Sequence, residues 1–142
     1  MQERVKHLEL IQDVIVRMAG NSALLKGWSI TLASALIGWA ASEHSHVKYV
    51  VIGFFPPIFF AVLDAYYLRQ ERLFRRLYDC VRLQDDAQWL EDPFTMDTST
   101  VADQVQSWFR TVFATVVFWP HFLVMLMVAG ILVLWVYVLT TL

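Results

Sequence analysis

Three apolar stretches set the pattern of the chain. The first runs from Ala23 to Ala41, and the second from Val47 to about Tyr67. Between them lies a short polar stretch, Ser42-Glu43-His44-Ser45-His46. The third stretch begins at Thr111, and no formally charged residue follows to the end at Leu142. A helix needs about 20 predominantly apolar residues to cross the hydrocarbon layer of a bilayer. The pattern therefore predicts a membrane hairpin over 23–41 and 47–67 and a third span over 120–141. Ahead of the hairpin, Val5, Leu8, Ile11, Ile15 and Met18 recur every three or four positions among Glu3, Lys6, Glu9, Asp13 and Arg17, which predicts an amphipathic helix over 3–19. Gly20-Asn21 supplies a stop and Ser22 a fresh start. Because its polar face mixes both signs, this helix is expected to pack on protein rather than on lipid.

Beyond Tyr67 the second arm is expected to continue as a charged helical extension over 68–91. Leu73, Leu77 and Val81, with Phe74 and Tyr78 alongside, maintain an apolar stripe up to Glu91-Asp92-Pro93. Thr100-Val101-Ala102-Asp103 has the form of a capping box with Asp in place of Glu. It opens a predicted helix over 100–118 whose stripe is Val101, Val105, Phe109, Val112 and Val116. That helix is expected at the membrane surface, with a re-entrant piece over 104–118 as the other possibility. Pro120 marks the change of direction into the third span.

Composition and charge sharpen this picture. Hydrophobic residues are 58% of 142, more than a soluble domain of this size can enclose. The expected fold is one all-α integral membrane domain, 1–142, of three transmembrane helices with cytoplasmic amphipathic helices. Four of the 11 basic residues (Arg4, Lys6, Arg17, Lys26) lie before or at the start of the hairpin and six (Arg69, Arg72, Arg75, Arg76, Arg82, Arg110) lie between the second and third spans. Only Lys48 falls in the turn. The positive-inside rule then predicts a cytoplasmic N-terminus and 68–110 segment and a C-terminus on the far side. No cleavable signal peptide is expected at the N-terminus. The single Cys80 allows no intrachain disulfide.

Candidate chemistry is sparse. Asp64 lies near the cytoplasmic end of the second arm, where an ionisable side chain suggests function by default. It reads either as an ion-path or gating carboxylate or as a wet structural partner of Lys26 or a nearby arginine, and the second reading is favoured. Pro56-Pro57 predicts a kink, another gating candidate. His121, directly after Pro120, reads either as a further gating or ion-path candidate or as an interfacial hydrogen bonder. Gly27, Thr31, Ser34 and Gly38 share one helix face, which either seats the second arm or contacts another subunit. Arg69, Arg72, Arg75 and Arg76 make a cytoplasmic charged face. The acidic block after it (Asp85, Asp86, Glu91, Asp92, Asp97, Asp103) pairs with it or is simply solvated. Glu43, His44 and His46 superficially suggest metal ligands, but a short flexible turn is a weak signal and no metal is expected. No phosphate-cradling loop, nucleophile elbow or HExxH occurs, so neither an enzyme nor a cofactor is expected. The acidic block also argues against nucleic acid.

Lys6-His7-Leu8-Glu9-Leu10-Ile11-Gln12, Arg17-Met18-Ala19, Asn21-Ser22 and Leu25-Lys26-Gly27-Trp28, with the run Asp64 to Arg76, resemble a family of small bacterial inner-membrane proteins across residues 3–82. More loosely, the order of elements is similar to membrane effectors of anti-phage systems of the SLATT type, with the third span as a departure. The resemblance implies an oligomeric inner-membrane effector that permeabilises the membrane, in a pore-like way, on a cytoplasmic signal. The alternative is a non-conducting anchor that docks a cytoplasmic protein. The expected partners are the lipid bilayer, further copies of the chain and a soluble protein.

Overall fold

The computed structural model describes residues 2–40 and 47–141, and all regular structure within them is helical. The turn residues Glu43, His44 and His46 lie outside the described residues. A single helix, α1, runs from Gln2 to Ala40. The 3-10 segment Val47–Phe54 leads into α2, Phe55–Leu83. A short helix α3, Asp86–Glu91, and a 3-10 turn, Ser99–Gln104, follow. The chain closes with α4, Trp108–Val112, and α5, Thr115–Thr141. Among the described residues, three helical stretches are long and apolar enough to cross a membrane: α1, Val51–Leu83, and Thr115–Val138 within α5.

Helix α1 corrects the expected break at Gly20-Asn21. Its buried residues, His7, Ile11, Val14, Ile15, Ser22, Ser29, Ala33 and Ala40, make one continuous stripe through that point. They repeat at separations close to three, four and seven, the spacing that keeps a partner helix on one face. Helix α2 answers with Asp64, Ala65, Leu73, Leu77 and Val81. Propensity at one glycine costs about 1 kcal/mol against alanine, too little to interrupt packing that spans the whole helix.

The proline pair is corrected in a similar way. Pro56 and Pro57 fall in the first turn of α2 rather than inside a kinked helix. The first four backbone N–H groups of any helix lack an intrahelical partner, so the two missing donors are lost where they matter least. The segment before them is wound as a 3-10 helix instead. Gly53, in that segment, brings it against α5: a Cβ there would stand 3.3 Å from Val128 Cγ1.

The 68–91 extension is also divided. Helix α2 stops at Leu83 and α3 starts after Asp85, whose carboxylate accepts from the Gln88 N–H at 2.8 Å while Gln88 Oε1 accepts from the Asp85 N–H at 3.4 Å. This is a capping box at a place the sequence reading passed over. The expected one at Thr100–Asp103 is not formed; the 3-10 turn there follows Thr98 without a side-chain cap. The expected interfacial helix over 100–118 is likewise replaced by the 3-10 turn, α4 and the start of α5. Pro120 lies inside α5, and the chain changes direction ahead of Thr115.

Two apolar cores result. One, at the arginine-bearing end, joins Ile11, Ile15, Leu77, Val81 and Trp89. The other joins Ala33, Ala40, Val124 and Val128, with Ile37, Phe54 and Leu132 packed against it. Alanines on α1 let α5 come close, and the valines of α5 fill the space. Between the two cores lie the buried polar residues Ser22, Ser29, Asp64 and His121, alongside Ala65 and Val117.

Candidate functional site: a buried polar cluster between three helices

Asp64 on α2 is fully buried. It does not take the wet position expected of it; α1 and α5 close over it. Lys26 Nζ, one turn past Ser22 on α1, lies 2.6 Å from Asp64 Oδ2. The Ser22 hydroxyl donates to Asp64 Oδ1 and accepts from Lys26 Nζ at 2.8 Å. Thus the expected pairing of Asp64 with Lys26 is present, and Ser22 bridges the pair.

The third helix completes the cluster. His121 Nε2 is 3.3 Å from Asp64 Oδ2, and its Nδ1 is 3.2 Å from Ser29 Oγ. His121 and Ser29 are both about 1% exposed. All described buried side-chain polar atoms have partners, as burial in a low-dielectric interior demands. Lys26 differs from the others: its side chain keeps 22% exposure. It therefore links the closed cluster to the surroundings, in the manner of a long stem that keeps its charged head near water.

The arrangement has a definite chemical capacity. With Asp64 ionised, His121 donates from Nε2 to the carboxylate. Its Nδ1 faces a hydroxyl, which can both donate and accept. The Ser29 hydroxyl can therefore suit either role of Nδ1 by rotating. The cluster is thus a three-helix clamp.

A second buried histidine has no such freedom. His7 on α1 is fully buried beneath α3. The Trp89 indole N–H donates to its Nδ1 at 3.0 Å, and its Nε2 lies 2.8 Å from the Thr95 carbonyl oxygen. An indole only donates and a carbonyl only accepts, so His7 is held as the neutral ring with its proton on Nε2. Phe94 completes this head: its ring centroid is 5.6 Å from those of both His7 and Trp89. It does so from a backbone φ of 63°, a strained region for a non-glycine residue. In the same loop Asp97 accepts from the Ser99 N–H and hydroxyl at 2.8 and 2.7 Å. These bonds hold its carboxyl below the usual carboxylate range.

The remaining candidates lie elsewhere. Gly27, Thr31, Ser34 and Gly38 are exposed on the side of α1 turned away from α2, so the stripe does not seat the second arm. A Cβ added at Gly27 or Gly38 would meet no atom within 4 Å. Pro56 and Pro57 are buried at the start of α2, away from the cluster in sequence by two turns. Of the arginines of α2, Arg75 pairs with Glu71 at 2.8 Å and Arg82 with Asp79 at 3.5 Å within the helix, while Arg69 and Arg72 reach Gln106. From the acidic block, Asp86 pairs with Arg4 of α1 at 3.2 Å instead. No group of residues suited to hold a metal occurs among the described residues.

Sequence reading identified Asp64 and His121 separately and missed Ser22, Ser29 and His7 as site residues. One signal was available: His7, Ser22 and Ser29 occupy the same face as Ile11 and Ile15, so polar groups there must have buried partners. No family of known proteins, no curated protein and no solved structure matches the chain.

Proposed function

We propose that this protein is the subunit of a homo-oligomeric bacterial inner-membrane effector that perturbs the bilayer, in a pore-like manner, on a cytoplasmic signal. Its arginine-bearing end and N-terminus face the cytoplasm and its C-terminus the periplasm. The observation that carries the reading is the unpartnered face of α1. Packing within the chain uses the opposite face, whereas Gly20, Ala23, Leu24, Gly27, Trp28 and Thr31 line an outward groove of about 540 Å³. Small residues at such spacing allow close approach of a second helix in lipid, where packing rather than the hydrophobic effect drives association. A role in anti-phage defence rests on the architectural resemblance alone. The polar cluster serves as the clamp that holds α5 to the hairpin, and its opening would be the conformational step.

The test is the mass of the complex in lipid nanodiscs, corrected for lipid. Wild type is expected at one discrete mass above that of a dimer, and to release dye from anionic vesicles. Gly27→Leu should fall to monomer with its helical content intact, because a Cβ at that position meets no atom within 4 Å. A monomeric wild type that leaves vesicles sealed would overturn the reading.

A specific observation favours the anchor as the second reading. The head around His7 and Trp89 is a folded unit with its own core. Beside it, Val5, Leu8, Glu9, Gln12, Asp13 and Tyr78 line a cleft of about 320 Å³, suited to a soluble partner. Specific capture of one cytoplasmic protein, lost on Val5→Asp, would support it.

A further inference from the structure

Below the buried cluster, α2 and the loop before α4 enclose a cleft of about 500 Å³, lined by Arg72, Arg75, Arg76, Asp79, Gln104, Val105 and Gln106. From this geometry we infer that the cleft binds a phosphate group, and that Arg72 and Arg76 are its principal ligands. The inference rests on the membrane reading only for the depth at which the cleft lies.

Three observations converge on it. First, the guanidiniums are unequally occupied. Arg75 is taken by Glu71, at 2.8 Å from both Nε and Nη2. Arg72 has only a long contact from Nη1 to Gln106 Oε1 at 3.4 Å, and Arg76 has no ion pair or hydrogen bond among the described residues. The one carboxylate in the wall, Asp79, is shared with Arg82. An anion entering the cleft therefore meets two forked cations that have no carboxylate partner among the described residues. Planar guanidiniums match phosphate oxygens two at a time, more specifically than an ammonium does.

Second, the wall opposite the arginines is already positioned. The Gln106 carbonyl oxygen accepts from Arg69 Nε at 3.4 Å, so that the loop is tied to α2 beside the cleft. The amides of Gln104 and Gln106 supply neutral donors next to the cations.

Third, the depth is right for a headgroup. Twenty residues of α5 separate His121 from Thr141, a rise of about 30 Å and the thickness of the hydrocarbon layer. The buried cluster thus marks its cytoplasmic edge. Arg72 lies two turns further out, about 12 Å along α2. Phe109 within α4 and Phe113 just after it, each 73% exposed, follow the cleft in the chain, as side chains dipping into lipid would. A phosphate there comes either from an anionic phospholipid or from a soluble phosphate compound in the cytoplasm.

The test uses the full chain purified in detergent and in phosphatidylcholine nanodiscs. In the lipid arm, native mass spectrometry counts bound phosphatidylglycerol against phosphatidylcholine. In the soluble arm, inorganic phosphate and pyrophosphate are titrated against thermal unfolding in nanodiscs. Arg72→Gln/Arg76→Gln should lower binding of the relevant phosphate at least about tenfold, as loss of charge-assisted bonds implies. Arg17→Gln, which removes one positive charge from the exposed side of α1, should not. Preference for phosphatidylglycerol that the double variant loses identifies a lipid headgroup. Stabilisation by free phosphate that the double variant loses, without lipid preference, identifies a soluble ligand. Binding equal in wild type and double variant, or lost equally in Arg17→Gln, overturns the proposal. Failure to enter nanodiscs as helical protein would instead defeat the membrane reading, and is seen before any ligand is added.

Discussion

Asp64 and Lys26 face one another inside the helix packing, and the two charges cannot be judged singly. Removing one member of a buried pair leaves the other uncompensated, at a cost of about 3–5 kcal/mol. Replacing both by neutral groups is far milder. Asp64→Asn and Lys26→Met should therefore each lower stability in detergent by several kcal/mol, and the double variant by much less than their sum. Lys26→Met should be the worse of the two, since it leaves a fully buried carboxylate, whereas the partly exposed Lys26 can turn to water. Additive losses would show that the pair is not coupled. His7 makes a different case because both its nitrogens are committed. His7→Phe keeps the ring but strands the Trp89 indole and the Thr95 carbonyl. The expected loss is about 2–4 kcal/mol, read from heat denaturation with tryptophan fluorescence as the probe. An unchanged midpoint would mean that water takes over both bonds.

At the scale of elements, the continuity of α1 is the sharpest departure from expectation, and Gly20 tests it. No described glycine has a positive φ, and a Cβ at Gly20 would meet open space. Gly20→Ala should then stabilise the protein by about 0.5–1 kcal/mol, the usual gain inside a helix. If a break existed there, alanine would strain the cap and stability would fall. The apolar stretches were legible because a span must be nearly uniform in composition to sit in lipid, so each residue repeats the same message. Breaks within and between helices were not. Gly20-Asn21 and Pro56-Pro57 carry the same local signals at a helix end, in a first turn or in a helix interior, and tertiary packing selects among them. Asp64 stood out as a lone carboxylate in an apolar run. Its contact with His121 crosses 57 residues, and the Ser29 contact with the same ring crosses 92. No periodicity within one helix encodes such meetings. The stripe on α1 illustrates the same limit: spacing showed that Gly27, Thr31, Ser34 and Gly38 share a face, while only the position of α2 reveals that the face points outward.

For the whole molecule, the polar cluster lies between a charged head and an apolar body. The head holds an indole, two committed imidazole nitrogens and the arginines; the body holds alanines, valines and the close approach at Gly53. On the proposed membrane reading, three crossings would place the two ends of the chain on opposite sides, with the excess of basic residues near the head directing it to the cytoplasm. Cys80, the single cysteine, lies half-buried on the head side of α2, so native protein carries its own probe. A membrane-impermeant maleimide should label Cys80 in inverted vesicles and leave it untouched in intact spheroplasts. A Cys80→Ser protein carrying Thr141→Cys should show the reverse pattern, since Thr141 ends α5 about 30 Å beyond His121. Labelling of both positions from the same side would mean that α5 turns back or lies along the surface. The clamp at Asp64 would then hold a surface helix to a two-span hairpin, and the depth assigned to the arginine cleft would have to be measured afresh from the hairpin alone.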